Sequence, residues 1–205
     1  MKIAVIGCGV GGQAAALFLS RSGHEIEILE RFPQAKPVGA GLLLQPPGQA
    51  ALAELGLLRN LGPKGARVDR LFGRTAANRT VLDLEYANYR TDYAGLGMHR
   101  AHLFEALNTA VVQANIPIRL ATTVSEITDT TNPVLVAQNG ERFGPFDLVI
   151  VAEGAHSLLR KKLFPATRDP TYRWGALWVT CPDVEGRFAG TLWQMFKSAE
   201  KMLGV

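Results

Sequence analysis

The sequence predicts an α/β fold built on a parallel sheet, with part of a β-rich layer added to it. Three observations carry this. Ile3-Ala4-Val5-Ile6 and Leu148-Val149-Ile150-Val151 are unbroken apolar runs of strand length, the pattern of parallel strands covered on both faces. A glycine-rich segment, Gly7 to Gly12, separates the first run from a stretch of helical character, and a second short strand follows it. Segments around 67–72 and 80–84 alternate apolar and polar residues, as half-exposed antiparallel strands do.

The elements follow in order. A helix from about Gly11 to Arg21 carries Ala14, Ala15, Leu17 and Phe18 and stops at Gly23. Ile26, Ile28 and Leu29 then form a strand closing on Glu30, which completes a βαβ unit. Pro33 and Pro37 break the chain, and Leu42-Leu43-Leu44 reads as a short buried strand. Pro46 and Pro47 open a helix bearing Ala50, Ala51, Leu52 and Leu55, with Gly56 near its end. Leu103, Phe104, Leu107, Ala110 and Val111 recur at helical spacing until Asn115 and Pro117. Val134 to Gln138, Asn139-Gly140 and Glu141 to Phe143 predict a hairpin with a type I′ turn. Asp147 leads into the second buried run, and Glu153-Gly154 precedes a helix from about Ser157 to Phe164. The last forty residues, with Trp174, Trp178, Trp193 and Phe196, read as strands of a second layer. The expected organisation is a domain over 1–170 with antiparallel strands inserted at about 66–95, then incomplete layer strands over 171–205.

Composition narrows the function. With 47% hydrophobic and 20% charged residues, the 205-residue chain is too apolar to be disordered. A formal charge of +4 is too small and too scattered for a nucleic-acid surface, and the tightest basic run, Arg160-Lys161-Lys162, reads as a solvated helix face. Cys8 and Cys181 stand far apart without patterned companions, so neither a disulfide framework nor a zinc site is expected, and a reducing cytoplasm is the plain location. Residues 3 to 20 contain no charge and imitate a membrane span. Gly7, Gly9, Gly11 and Gly12 answer that reading, because they divide the run into a strand, a turn and a helix.

Gly7-Cys8-Gly9-Val10-Gly11-Gly12 matches GxGxxG between a strand and a helix, with Glu30 at the end of the next strand. This is the Rossmann-like dinucleotide fingerprint. Gly7 makes the tight turn, Gly9 admits a diphosphate to the backbone, and Gly12 allows close packing of helix on strand. The unpaired N–H groups and positive dipole end of the helix face the anion. Glu30 can accept the ribose hydroxyls through charge-assisted bonds worth roughly 1.5–3 kcal/mol each, and its charge disfavours a 2′-phosphate. Arg31 could accept such a phosphate or stack on adenine. NAD and FAD remain open on the fingerprint alone.

Four blocks occur in one order: Gly7 to Gly12 with Glu30-Arg31; Gly39-Ala40-Gly41-Leu42-Leu43-Leu44-Gln45-Pro46-Pro47; His99-Arg100 with Leu103 and Leu107; and Asp147 to Gly154 with Ser157 and Arg160. In these the chain resembles the FAD-dependent monooxygenases of the aromatic-hydroxylase type, which include para-hydroxybenzoate and salicylate hydroxylases. The resemblance implies FAD as cofactor, NADH or NADPH as co-substrate, and hydroxylation of a small aromatic or ring-containing organic substrate. By resemblance, Gly7, Gly9, Val10, Gly11, Gly12 and Glu30 hold the diphosphate and adenosine ribose, with Arg31 beside the adenine. Arg100 matches the arginine near the diphosphate and flavin chain, Val124 the backbone that touches adenine, and Gly41 and Leu42 the segment near the flavin ring. Glu153 and Gly154 match an Asp-Gly block that serves both FAD and the nicotinamide cofactor, with Glu in place of Asp. A third family block, Gly-Asp-Ala-Ala-His-like, has no counterpart here, so the chain is expected to be the N-terminal portion of such an enzyme.

Ordinary roles stand beside these. Cys8 reads as a small buried side chain, His24 as a turn residue, His99 and His102 as surface or satisfied core histidines, His156 as a loop residue, and Trp174, Trp178 and Trp193 as packing or as a pocket lining. Ser157 beside His156 lacks a nucleophile-elbow pattern. Two other functions compete with the enzyme. One is a catalytically inactive FAD-fold module that associates with itself through an incomplete sheet; the other, an NAD-dependent dehydrogenase, leaves the Arg100 and Glu153-Gly154 blocks unexplained.

Overall fold

The computed structural model describes residues 1–37, 39–129, 131–168, 170, 172, 174–188 and 190–205. In chain order it has β1 (Lys2–Ile6), α1 (Val10–Arg21), β2 (Glu25–Leu29), β3 (Gly41–Leu44), α2 (Pro46–Glu54), α3 (Leu58–Leu61), β4 (Ala66–Thr75), β5 (Thr80–Glu85) and β6 (Gly95–His99). These are followed by α4 (Arg100–Gln113), β7 (Ile118–Arg119), β8 (Val124–Thr128), β9 (Val134–Ala137), β10 (Arg142–Phe143), β11 (Leu148–Val151), α5 (Leu158–Leu163), β12 (Gly190–Lys197) and β13 (Lys201–Gly204). Two units divide the chain: Met1–Val38 with Leu103–Gly175, and Gly39–His102 with Ala176–Val205.

The first unit contains the parallel sheet, in the order β11-β1-β2-β7. Strand β1 is its centre, with Ile3 level with Ile26 on one side and Leu148 on the other. Ile3, Ala4 and Val5 are fully buried, so the continuous apolar run is explained by cover on both faces. Ala4 and Ile6 pack with Leu29, Val124, Leu135, Phe146 and Leu159, a core that ties the antiparallel β8-β9-β10 sheet to the parallel one. Each large side chain buried there contributes about 1.5–3 kcal/mol. Helix α1 packs on β1 and β2 through its buried side, where Gly12, Gln13, Ala16 and Leu17 lie.

Two details of this unit depart from the sequence reading. β11 pairs only with β1 among the described residues, leaving Leu148 41% and Val151 36% exposed; the apolar run forms a half-covered edge strand rather than a buried one. The Asn139-Gly140 hairpin is also not a type I′ turn. Gly140 has a φ of 85° while Asn139 does not enter the left-handed region. The Gly140 N–H donates to the Ala137 carbonyl, the Ala137 N–H donates to the Glu141 carbonyl, and the Asn139 side chain accepts the Glu141 N–H at 3.0 Å. This is a three-residue loop closed by a glycine bulge.

The second unit is an antiparallel-rich sheet ordered β13-β12-β4-β6-β3, with β5 also paired to β4. It takes in more chain than the 66–95 insertion, because β3 pairs with β6 and β6 with β4, drawing in everything from Gly39. Strand β12 runs parallel to β4, where Trp193 meets Phe72 edge-on at 4.9 Å between ring centres. The β-rich ending is shorter than expected: among the described residues from 171 onward, strands occupy only 190–197 and 201–204. Trp174 and Trp178 lie outside any strand and are exposed, so neither forms the layer predicted for them.

Candidate dinucleotide site

The turn between β1 and α1 is fixed by two close approaches. Gly7 has a φ of +107°, and a Cβ there would lie 2.6 Å from the Ala152 carbonyl oxygen and 3.2 Å from the Glu153 Cα. A Cβ on Gly12 would come 1.9 Å from the Gly7 carbonyl oxygen. Only hydrogen fits at either position, so the helix starts hard against the strand it follows. Gly9 and Gly11 are the opposite case, with no atom within 4 Å of a built Cβ. They border open space at the start of α1, whose N-cap residue Gly9 offers no side chain to its first turn and whose first turn holds no acid. An anion fits this arrangement: free backbone donors, the positive end of a twelve-residue helix, and room to approach.

Glu30 stands at the end of β2, 8% exposed. Its Oε2 accepts the Cys8 N–H at 2.7 Å and its Oε1 accepts the Phe32 N–H at 3.0 Å. Each oxygen keeps a further lone pair, so the carboxylate can serve the turn and a ribose hydroxyl together. Burial, with Glu30 nearby, pushes the Cys8 thiol up to about 11. That agrees with an inert, packed cysteine. Arg31 is half-buried, its guanidinium 4.8 Å from the Phe32 ring centre. Val124 is almost wholly buried within the core.

The Glu153-Gly154 block abuts the Gly7 turn, since the Ala152 N–H donates to the Ile6 carbonyl at 2.8 Å. Glu153 Oε2 accepts both the Ser157 hydroxyl at 2.7 Å and the Leu159 N–H at 3.1 Å. Ser157 in turn caps α5 by accepting the Arg160 N–H at 3.0 Å. Arg160 donates back to the Gly154 and Ala155 carbonyls. Ser157 is thus a capping residue, and Glu153 Oε2 serves the same cap. The strand ends of β1 and β11 meet here, at the carboxyl edge of the parallel sheet where α/β folds bind ligands.

In the second unit, Gly41 and Leu42 lie in β3, paired with His99 and Met98 of β6. The Arg100 N–H donates to the Ala40 carbonyl at 2.9 Å. Gly39 has a φ of +94°, and a Cβ there would lie 3.0 Å from the Arg100 Cδ, so the arginine side chain runs over the Gly39 backbone. His99 and His102 meet edge-on at 5.7 Å. Among the described residues no cluster of metal-binding side chains occurs, and no helix is long and apolar enough to cross a membrane.

Sequence reasoning missed Gln13. It is fully buried on α1, and its Nε2 donates to the Cys8 carbonyl at 2.7 Å. The available signal was an amide one residue after the last fingerprint glycine, on the helix face that also carries Ala16 and Leu17.

A strand, a glycine turn, an uncapped helix start and a carboxylate on the neighbouring strand together define a dinucleotide-binding βαβ unit. Comparison with known proteins specifies it further. The chain belongs to the family of the FAD binding domain, whose model matches residues 1–196. It is 31% identical over 169 residues to 3-amino-4-hydroxybenzoate 2-monooxygenase of Streptomyces cremeus, covering 80% of this chain and 42% of that protein. It is 26% identical over 209 residues to an FAD-dependent urate hydroxylase of Klebsiella pneumoniae, covering 100% of this chain and 54% of that one. In fold it matches 2-methyl-3-hydroxypyridine-5-carboxylic acid oxygenase with a TM-score of 0.74 at 20% identity, over 95% of this chain and 52% of the other. The chain therefore spans about half the length of the relatives it matches.

Proposed function

We propose that the chain is the FAD-binding portion of an NAD(P)H-dependent monooxygenase that hydroxylates a small aromatic substrate. The observation that carries this is the open, uncapped start of α1 over Gly9 and Gly11, with the Glu30 carboxylate fixed beside it. The names of the relatives, which act on hydroxybenzoates and urate, support the substrate class. FAD, when bound, supplies the electron transfer and oxygen activation; the chain's own residues bind, orient and exclude water. Gly9, Val10, Gly11 and Gly12 hold the diphosphate by backbone N–H groups, and Glu30 takes the adenosine ribose. Arg31 lies at the adenine with the Val124 backbone. Arg100, with Gly41 and Leu42, serves the flavin side.

Glu153 acts through structure in this reading. It fixes the Gly154 turn by capping α5 through Oε2, beside the cofactor role expected of the Glu153-Gly154 block. The reading includes a cytoplasmic location, which two cysteines far apart in sequence support.

A second reading, a catalytically inactive module that associates with itself, is favoured by the half-exposed β11 edge and by Met202 and Leu203 on β13. One experiment separates the two. Purified chain is titrated with FAD while flavin fluorescence is followed, and its mass is measured by light scattering. Saturable binding near one FAD per chain, with NAD(P)H oxidation stimulated by aromatic acids, supports the first reading. A colourless oligomer supports the second.

A further inference from the structure

We propose that Gln13 is a positioning residue that holds the Cys8–Gly9 peptide so that the Gly9 N–H points at the FAD diphosphate. The inference rests on the FAD reading above. A trans peptide carries its C=O and N–H on opposite sides of one plane. The Cys8 carbonyl is drawn inward by the Gln13 Nε2 at 2.7 Å, which turns the N–H of the same plane, that of Gly9, outward. Gly9 is where nothing lies within 4 Å of a built Cβ, and among the described residues no acceptor takes its N–H. One residue earlier, the Cys8 N–H is held by Glu30 Oε2 at 2.7 Å. Two buried side chains therefore grip the turn on either side of Cys8, and the only direction left to the Gly9 donor is the open one.

The remaining atom of Gln13 argues against a purely structural role. Its Oε1 is buried with no hydrogen-bond partner among the described residues, on a residue that is 0% exposed. A half-satisfied amide among Ala16, Leu17 and the sheet is a poorer packing choice than an apolar side chain of the same volume. The bonded end of the amide is the one at the glycine turn, so the side chain's polar work is done on the Cys8 carbonyl.

The test uses the whole chain and Gln13→Met, which keeps length and volume but removes the donor; Gln13→Leu is the second variant should the first fail to fold. Three quantities are read: melting temperature without FAD, amide hydrogen exchange at Cys8 without FAD, and the FAD dissociation constant by fluorescence titration. The expected result is a melting temperature within a few degrees of wild type, faster exchange at the Cys8 amide, whose bond to Glu30 loosens with the turn, and FAD affinity lower by about tenfold, the loss of one hydrogen bond's orientation. Unchanged exchange, unchanged affinity, or an affinity loss matched by a large drop in melting temperature overturns the proposal. Failure of the wild-type chain itself to bind FAD overturns the functional reading instead, and the exchange measurement still decides whether the grip exists.

Discussion

The Glu30 carboxylate accepts the Cys8 N–H at 2.7 Å across the gap between β2 and the glycine turn. In the proposed function fold and cofactor binding are thereby coupled at one side chain, because the carboxylate that steadies the turn would also take the ribose. Glu30→Ala is expected to cost stability as well as affinity. Two backbone donors, Cys8 N–H and Phe32 N–H, lose their acceptor, at roughly 1–3 kcal/mol for each that stays buried and unpaired. FAD binding falls further through the lost ribose bonds. Urea denaturation together with an FAD titration checks both; unchanged stability would show that the turn does not depend on the carboxylate.

Cys8 gives a pH dependence whose sign follows from its environment. Burial and the nearby Glu30 raise the folded thiol from 9.0 to about 11, so the folded chain keeps its proton where the unfolded chain has released it. The contribution is complete below pH 9 and is lost as pH rises towards 11. Wild type should weaken over that window relative to Cys8→Ala, by an amount on the order of 2 kcal/mol. Guanidinium melts of both proteins at pH 8 and pH 10.5 measure it. A thiol reagent at pH 8 should meanwhile modify exposed Cys181 and leave Cys8 untouched.

Much of the first unit was legible in the sequence because its signals are local. The Ile3–Ile6 run, the spacing of the glycines and the acid at Glu30 each specify their own neighbourhood, and the structure has β1, α1 and β2 where they indicate. What escaped depended on partners distant in sequence. Leu148 to Val151 reads as a buried strand, yet burial depends on a neighbour on each side, and among the described residues only β1 pairs with it. Trp174 and Trp178 carry strong strand propensity, but propensity without a pairing partner does not make a strand. Gln13 was invisible as a polar grip because its acceptor, the Cys8 carbonyl, is a backbone atom whose direction only the folded turn defines.

The fingerprint glycines should separate into two kinds when each is replaced by alanine. Gly9 has an extended backbone, with φ −73° and ψ 179°, and an added Cβ meets nothing. Gly9→Ala should therefore fold with wild-type stability while its methyl group obstructs the diphosphate, so FAD affinity drops sharply. Gly12→Ala places a Cβ 1.9 Å from a backbone oxygen and must displace α1 from β1, at a cost of about 1–3 kcal/mol or more. Thermal melts and FAD titration of the two variants give opposite profiles. A Gly9→Ala chain that binds FAD normally would remove the diphosphate from this turn.

Glu153 is the position where a direct cofactor role and a capping role predict different outcomes. Its Oε2 takes the Ser157 hydroxyl and the Leu159 N–H, and Ser157 takes the Arg160 N–H, so the charge stands at the start of α5 and orders the loop from Gly154 onward. Glu153→Gln keeps an acceptor oxygen but loses the charge, and should cost about 1 kcal/mol, while Glu153→Ala should cost about 2 kcal/mol as the cap loosens. Ser157→Ala should reproduce part of that loss, and combining it with Glu153→Ala should add less than the sum, because the two side chains share one bond. A double-mutant cycle on denaturation midpoints measures the coupling. If Glu153→Ala instead leaves stability intact and weakens only NAD(P)H-dependent turnover, the carboxylate belongs to the nicotinamide cofactor and the cap is incidental.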